Sequence, residues 1–148
     1  AGIGTGGTIC GCSRFLKEQN PRLKAIAIDS QGSVFTSYFK TGTPGPASPY
    51  LIEGLGDEFI IGCPDFSLID DIIPCSDRNA FLWARELVLR EACMGGGSSG
   101  AAIWGILQLL PHLPDGTRLV TLFPDGTSRY LSTIFNDEWM RAKGFLDS

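Results

Sequence analysis

The sequence predicts an α/β fold: a mostly parallel sheet flanked by helices. Two observations carry this expectation. Short, continuous apolar runs alternate with stretches of helical period, and strands that are apolar on both sides belong to parallel sheets covered on both faces. Glycine-rich turns punctuate the alternation. In such sheets ligands bind beyond the carboxyl ends of the strands, where these turns fall.

The elements follow in chain order. Residues 8–19 have a helical pattern, with Ile9, Cys12, Phe15 and Leu16 on one stripe and Arg14, Lys17 and Glu18 outside it. Asn20-Pro21 ends it. AIAI at 25–28 reads as a buried strand with Asp29 at its carboxyl end. Residues 30–49, rich in Gly, Ser, Thr and Pro, are expected to form an irregular loop. DDII at 70–73 leads into a second strand. Ser76 or Asp77 then caps a helix that places Phe81, Ala84, Leu87 and Val88 on one face. MGGGSSG at 94–100 opens the helix AAIWGILQLL. LPDGT is a turn, LVTLF at 119–123 a strand, and PDGTSR at 124–129 a turn into a helical tail over 130–145.

Composition narrows the function classes. The chain has 148 residues, enough for one domain with its own core. Its net charge of −4 gives no basic field for nucleic acid. No apolar run reaches the roughly 18–20 residues that a membrane span needs, and the opening residues are not expected to be a signal peptide. Five cysteines, at 10, 12, 63, 75 and 93, form neither a CxxC pair nor a zinc set. They read as reduced thiols of a cytoplasmic protein, with no metal site. The single histidine, His112, lies between prolines in PHLPDG and reads as a surface turn residue.

The first turn, GIGTGGT at 2–8, is the most informative stretch. A helix N-terminus presents unpaired N–H groups and a partial positive charge, and glycines let several N–H groups converge on one anion. A phosphate suits that place, with Thr5 and Thr8 as further donors. The plain alternative is a tight turn without a ligand. Gly2, Gly4 and Gly7 also spell GxGxxG, with Asp29 about 20 residues on. An NAD-binding Rossmann module is therefore an alternative. It lacks the strand that should lead into the fingerprint, and it leaves MGGGSSG and the later PDG turn unexplained. A nucleoside-triphosphate loop fits less well, because no GK[ST] follows.

GIGTGGT before a helix, GGGSSGAA opening another and PDGTSRYLST after a strand resemble, in order and across essentially the whole chain, the fold type II (tryptophan synthase β-like) pyridoxal-phosphate enzymes. The cystathionine β-synthase and cysteine synthase branch is the nearest in pattern. YLIEGLGDEFI at 50–60 and the tail NDEWMRAKGFL resemble cystathionine β-synthases in particular. The resemblance implies a cofactor, pyridoxal 5′-phosphate, whose phosphate lies on Gly4, Thr5, Gly6, Gly7 and Thr8. It places Ser98 opposite the pyridine nitrogen and Pro124, Asp125 and Gly126 beside the ring. It sets Glu53 and Asp57 at the substrate end; a solvated loop carboxylate is the plain alternative for Glu53, and an ordinary helix N-cap for Ser98. A neutral serine at the ring nitrogen leaves a milder electron sink than a carboxylate would, which suits β-elimination and β-replacement.

The implied activity is the condensation of serine, or an activated serine, with a thiol such as homocysteine, in transsulfuration and cysteine biosynthesis. Cysteine synthase chemistry, O-acetylserine plus sulfide, is the neighbouring alternative, and a non-catalytic fragment that keeps the phosphate cradle is another. The family also needs a Schiff-base lysine upstream of the phosphate loop. Lys17, Lys24, Lys40 and Lys143 all lack its context and read as surface charges. Residues 1–148 are thus expected to be the carboxyl-terminal half of the cofactor-binding large domain, with no catalytic residue of their own. The amino-terminal half is expected to lie outside the chain. The family implies amino-acid substrates and a homodimer.

Overall fold

The computed structural model describes residues 1–147 and divides the chain into two units, one ending at Cys75 and one beginning at Ser76. The first unit carries helix α1 (Gly7–Gln19), strand β1 (Ile26–Ser30), helix α2 (Phe35–Thr41) and strand β2 (Asp71–Cys75). β1 and β2 pair in parallel, from Ile26 opposite Asp71 to Ser30 opposite Cys75. On the other edge of β1 a parallel bridge joins Gly2 to Ile28, with Ile28 N–H donating to Ala1 O and Ile3 N–H to Ile28 O, both at 2.9 Å. The chain therefore runs extended segment, glycine turn, helix and parallel strand. That short segment stands where the sequence alone offered nothing ahead of the glycines.

Ile3, Ile9, Cys10, Ala27, Val34, Phe35, Ile69 and Ile72 form one buried cluster. Two expectations change here. α1 buries Ile9, Cys10 and Ser13, while Phe15 and Leu16 are 62% and 44% exposed and Cys12 is exposed. Of the expected stripe only Ile9 is buried, and Cys10 and Ser13 complete the inward face. Residues 30–49 are not wholly irregular, because α2 lies among them. Its start is held by the fully buried Asp29, whose Oδ2 accepts from Thr36 N–H at 2.9 Å and Thr36 Oγ1–H at 2.7 Å. Asp29 lies within β1, not just past its end.

Asp70 ties three parts of this unit together. It binds Lys17 Nζ at 2.7 Å and Lys24 Nζ at 3.2 Å, and accepts from Ala25 N–H at 2.7 Å. Partial burial by itself would raise its pKa, but the Lys17 bond, the Ala25 amide and Lys24 outweigh this and hold the carboxyl at about 2. An unfolded aspartate titrates near 4, so Asp70 stabilises the native state above that pH and loses its contribution as pH falls toward 2. Discounted for solvent screening, the loss is about 1–2 kcal/mol. Denaturant midpoints at pH 7 and pH 2 should show that Asp70→Asn removes this share of the acid sensitivity. Asp29 acts in the opposite sense. Burial pushes its pKa up against the Thr36 bonds, so its contribution declines as pH rises above about 4.

The second unit carries helices α3 (Asp77–Glu91), α4 (Gly97–Leu109) and α5 (Asp137–Ala142). Ser76 is the N-cap of α3, its Oγ accepting from Asn79 N–H at 3.2 Å. Ala80, Phe81, Ala84 and Leu87 form the buried face of α3, and α3 packs against α4. The tail is not one helix. A single turn at Thr127–Tyr130 stops, and Asn136 Oδ1 accepts from Trp139 N–H at 3.0 Å to start α5 afresh. Phe81 receives the tail through Trp139 and Phe145, with ring centroids 5.9 and 5.4 Å away.

Residues 119–123 do not form a strand. An apolar run becomes one only when a neighbour pairs its amides and covers its side chains; here Leu119, Leu122 and Phe123 are 38–39% exposed and Val120 86%. His112 is exposed, in a one-turn helix. Cys10, Cys12, Cys63 and Cys93 are free thiols. No helix among the described residues is long and apolar enough to cross a membrane, and none of their His, Cys, Asp and Glu side chains group to hold a metal ion.

Candidate functional site

In the first unit the glycine turn becomes the mouth of α1. Gly6 is its N-cap, with φ +81°, and no side chain caps the helix. The first helical bond runs from Cys10 N–H to Gly6 O at 2.9 Å. The N–H groups of Gly7, Thr8 and Ile9 therefore lack intrahelical acceptors. No acidic residue lies in the first turn, and Thr5, Gly7 and Thr8 are exposed. Free amides, two hydroxyls and a partial positive charge form a donor set for an anion such as a phosphate.

The structure also shows why these glycines differ. A Cβ on Gly4 would lie 2.5 Å from Gly54 O, and one on Gly6 2.7 Å from Pro64 Cα. A Cβ on Gly7 would meet nothing within 4 Å. Gly4 and Gly6 are therefore required by packing, whereas Gly7 faces open space.

What presses on Gly4 is the loop that carries Glu53 and Asp57. Ile52 and Leu55 bury its base, at 3% and 4% exposure, and Gly56 N–H donates to Ile3 O at 2.8 Å. Glu53 is exposed in this loop, and Asp57 is half-buried, with Oδ1 accepting from Glu58 N–H at 2.7 Å. Asp29, the residue a dinucleotide site would turn toward a ribose, is sealed in the core on Thr36.

In the second unit the other two motifs meet. Gly95 and Gly126 form an antiparallel bridge, which sets the start of α4 beside the turn containing Pro124 and Asp125. Ser98 is 7% exposed in the first turn of α4; the N-cap is Gly96, so Ser98 is not the cap. Asp125 Oδ2 accepts from Tyr130 Oη–H at 2.6 Å, and its Oδ1 is buried against Gly96 without a hydrogen-bond partner among the described residues. Pro124 is exposed. Sequence reasoning passed over Ser99. It is fully buried, and its Oγ has no partner among the described residues; only its place beside Ser98 could have drawn notice. An unpaired buried hydroxyl is costly, so Ser99→Ala should stabilise the chain by about 1 kcal/mol, read as a raised urea midpoint.

The four lysines occupy other places. Lys17 and Lys24 pair with Asp70, Lys143 lies over the Trp139 ring at 5.9 Å, and Lys40 is exposed in the last turn of α2. In the first unit, bare amides and hydroxyls at the mouth of α1 form a donor set that fits a phosphate group; in the second, a buried serine lies beside a glycine turn.

Comparison with known proteins agrees. The family described as Pyridoxal-phosphate dependent enzyme matches residues 1–125. Cystathionine beta-synthase of Apis mellifera is 38% identical over 146 residues, covering 99% of this chain and 29% of that protein. The O-acetylserine dependent cystathionine beta-synthase of Bacillus subtilis is 38% identical over 132 residues, covering 89% of this chain and 41% of the relative. The crystal structure of the O-acetylserine dependent enzyme of that name from Helicobacter pylori superposes with a TM-score of 0.75 at 39% identity, covering 89% of this chain and 41% of that one. The chain thus spans less than half the length of these relatives. Its motifs, its fold and these likenesses coincide, and the chain belongs to the pyridoxal-phosphate dependent enzyme family.

Proposed function

We propose that the chain is the carboxyl-terminal half of the cofactor-binding domain of a β-replacement enzyme that joins serine, or an activated serine, to a thiol such as homocysteine. Pyridoxal phosphate, when bound, supplies the electron sink for chemistry at the amino acid's α- and β-carbons. In this reading Gly4, Thr5, Gly6, Gly7 and Thr8 hold its phosphate, Gly7 and Thr8 through free amides. Ser98 meets the ring nitrogen with a neutral hydroxyl, and Pro124 and Asp125 border the ring. Glu53 and Asp57 shape the substrate end. The observation that carries the proposal is the docking of the Glu53–Asp57 loop on the glycine turn, through Gly56 N–H to Ile3 O and Gly4 against Gly54. One packed assembly thereby links the anion site to a carboxylate-bearing loop.

The lysine that forms the Schiff base is assigned to an amino-terminal half beyond these residues, and the same proposal includes a homodimer and a cytoplasmic location. The test is product analysis by mass spectrometry. The longer protein, supplied with serine or O-acetylserine and with homocysteine or sulfide, should form the homocysteine thioether. The 148-residue chain alone should form none, since none of its four lysines lies in the sequence context of a Schiff-base lysine. Cysteine from sulfide as the sole product would move the assignment to cysteine synthase.

A further inference from the structure

We propose that Ser33 is a positioning residue for the substrate end: its hydroxyl clamps the loop carrying Glu53 and Asp57 to the carboxyl end of β1. The proposal rests on the functional reading above and names a residue that reading does not use.

Ser33 lies in the turn between β1 and α2, where its N–H donates to Ser30 O at 3.0 Å. Its Oγ accepts two backbone amides, Phe35 N–H at 3.2 Å and Asp57 N–H at 3.1 Å. The neighbouring Val34 N–H returns a bond to Asp57 O at 3.0 Å. Asp57 is thus gripped through both its N–H and its C=O by two consecutive residues. The fit is close. Gly56 has φ +72°, and a Cβ there would lie 2.6 Å from Ser33 Cβ and 3.0 Å from Tyr50 Oη.

The turn itself is rigid. Phe35 is fully buried, and Asp29 fixes Thr36 through two bonds. The loop therefore takes its position from the turn. Leu55 anchors its middle by burial and the Ser33 clamp anchors its end, leaving Glu53 exposed between the buried Ile52 and Leu55. Removing the hydroxyl leaves two amides without their acceptor and frees that end, while the β-sheet and the mouth of α1 keep their bonds. The effect falls on the aim of Glu53 and Asp57 and spares the cofactor's phosphate.

The test uses Ser33→Ala, Ser33→Thr and Gly56→Ala in the longer protein. Hydrogen exchange of the peptide spanning residues 54–59 should be about tenfold faster in Ser33→Ala, the cost of one lost hydrogen bond. The KM for homocysteine should rise about tenfold, with kcat within twofold and pyridoxal-phosphate content unchanged. Ser33→Thr, which keeps the acceptor oxygen, should restore KM. Gly56→Ala, which opens the same joint from the other side, should reproduce the KM effect should Ser33→Ala fail to fold. Faster exchange with unchanged KM overturns the proposal, as does unchanged exchange, or a fall in kcat that follows loss of cofactor. A wild-type protein that forms no thioether defeats the functional reading itself, and this proposal with it; that result is visible before any variant is made.

Discussion

Gly100→Val should strongly destabilise the helical pair of the second unit. A Cβ at position 100 collides with the carbonyl oxygen of Ala80 and the amide nitrogen of Ala84, and comes within 2.9 Å of Ala84 Cβ. The first two are backbone atoms of α3, so no rotamer change relieves the contact. Ala80, Ala84 and Gly100 together are a small-residue seam that lets two helices approach closely, and valine adds three carbons to it. Overpacking a tight core commonly costs about 1–3 kcal/mol, and a backbone collision belongs at or above the top of that range. Against a typical total of about 5–15 kcal/mol, the loss is large. Urea unfolding followed by the fluorescence of Trp83 on α3 and Trp104 on α4 should show the midpoint falling by about 1–3 M, given slopes of about 1–3 kcal/mol per M. An unchanged midpoint would mean that α3 and α4 do not meet at this seam.

How much of this was legible in the residues depends on the range of the signal. α3 and α4 were readable because a cap, a helical period and a glycine run are all local. The start of α1 was readable too, but its orientation was not. Apolar residues occur around the helix, and the stripe of Ile9, Cys12, Phe15 and Leu16 is the more hydrophobic one. The helix buries Ile9 as expected, but beside it Cys10 and Ser13, while Phe15 and Leu16 stay exposed. α2 escaped notice because FTSYFKT is short and flanked by Ser, Thr, Gly and Pro. What stabilises it is Asp29 reaching Thr36, a contact that depends on the fold and not on helix propensity. The apolar run at 119–123 misled in the opposite way. Hydrophobicity marks it for a sheet, yet a strand also requires a partner, and no ladder forms there. The glycine turn was legible as a mouth for an anion. That Gly4 also seats the Glu53 loop was not, because fifty residues separate the two surfaces.

That double duty can be separated by experiment at Gly6 and Gly7. Gly6→Ala places a side chain at φ +81°, which costs an L-residue about 1–2 kcal/mol. It also drives the new Cβ to 2.7 Å from Pro64 Cα, at a further cost of about 1–3 kcal/mol. Stability should fall by about 2–5 kcal/mol, and the amides at the mouth of α1 should lose their convergence. Pyridoxal-phosphate affinity of the longer protein, titrated by absorbance, should drop about 100-fold, the equivalent of about 2.7 kcal/mol. Gly7→Ala is the informative partner. Its Cβ meets nothing within 4 Å beyond its own helix, and alanine is the better helix former by up to about 1 kcal/mol, so stability should hold or rise. Its methyl group points into the space the phosphate is proposed to fill, so affinity for pyridoxal phosphate should fall while affinity for pyridoxal, which lacks the phosphate, changes little. Loss of affinity without loss of stability at Gly7, beside loss of both at Gly6, is the pattern of a built anion site. Equal affinities for Gly7→Ala and wild type would place the phosphate elsewhere and leave the glycine turn with packing as its whole purpose.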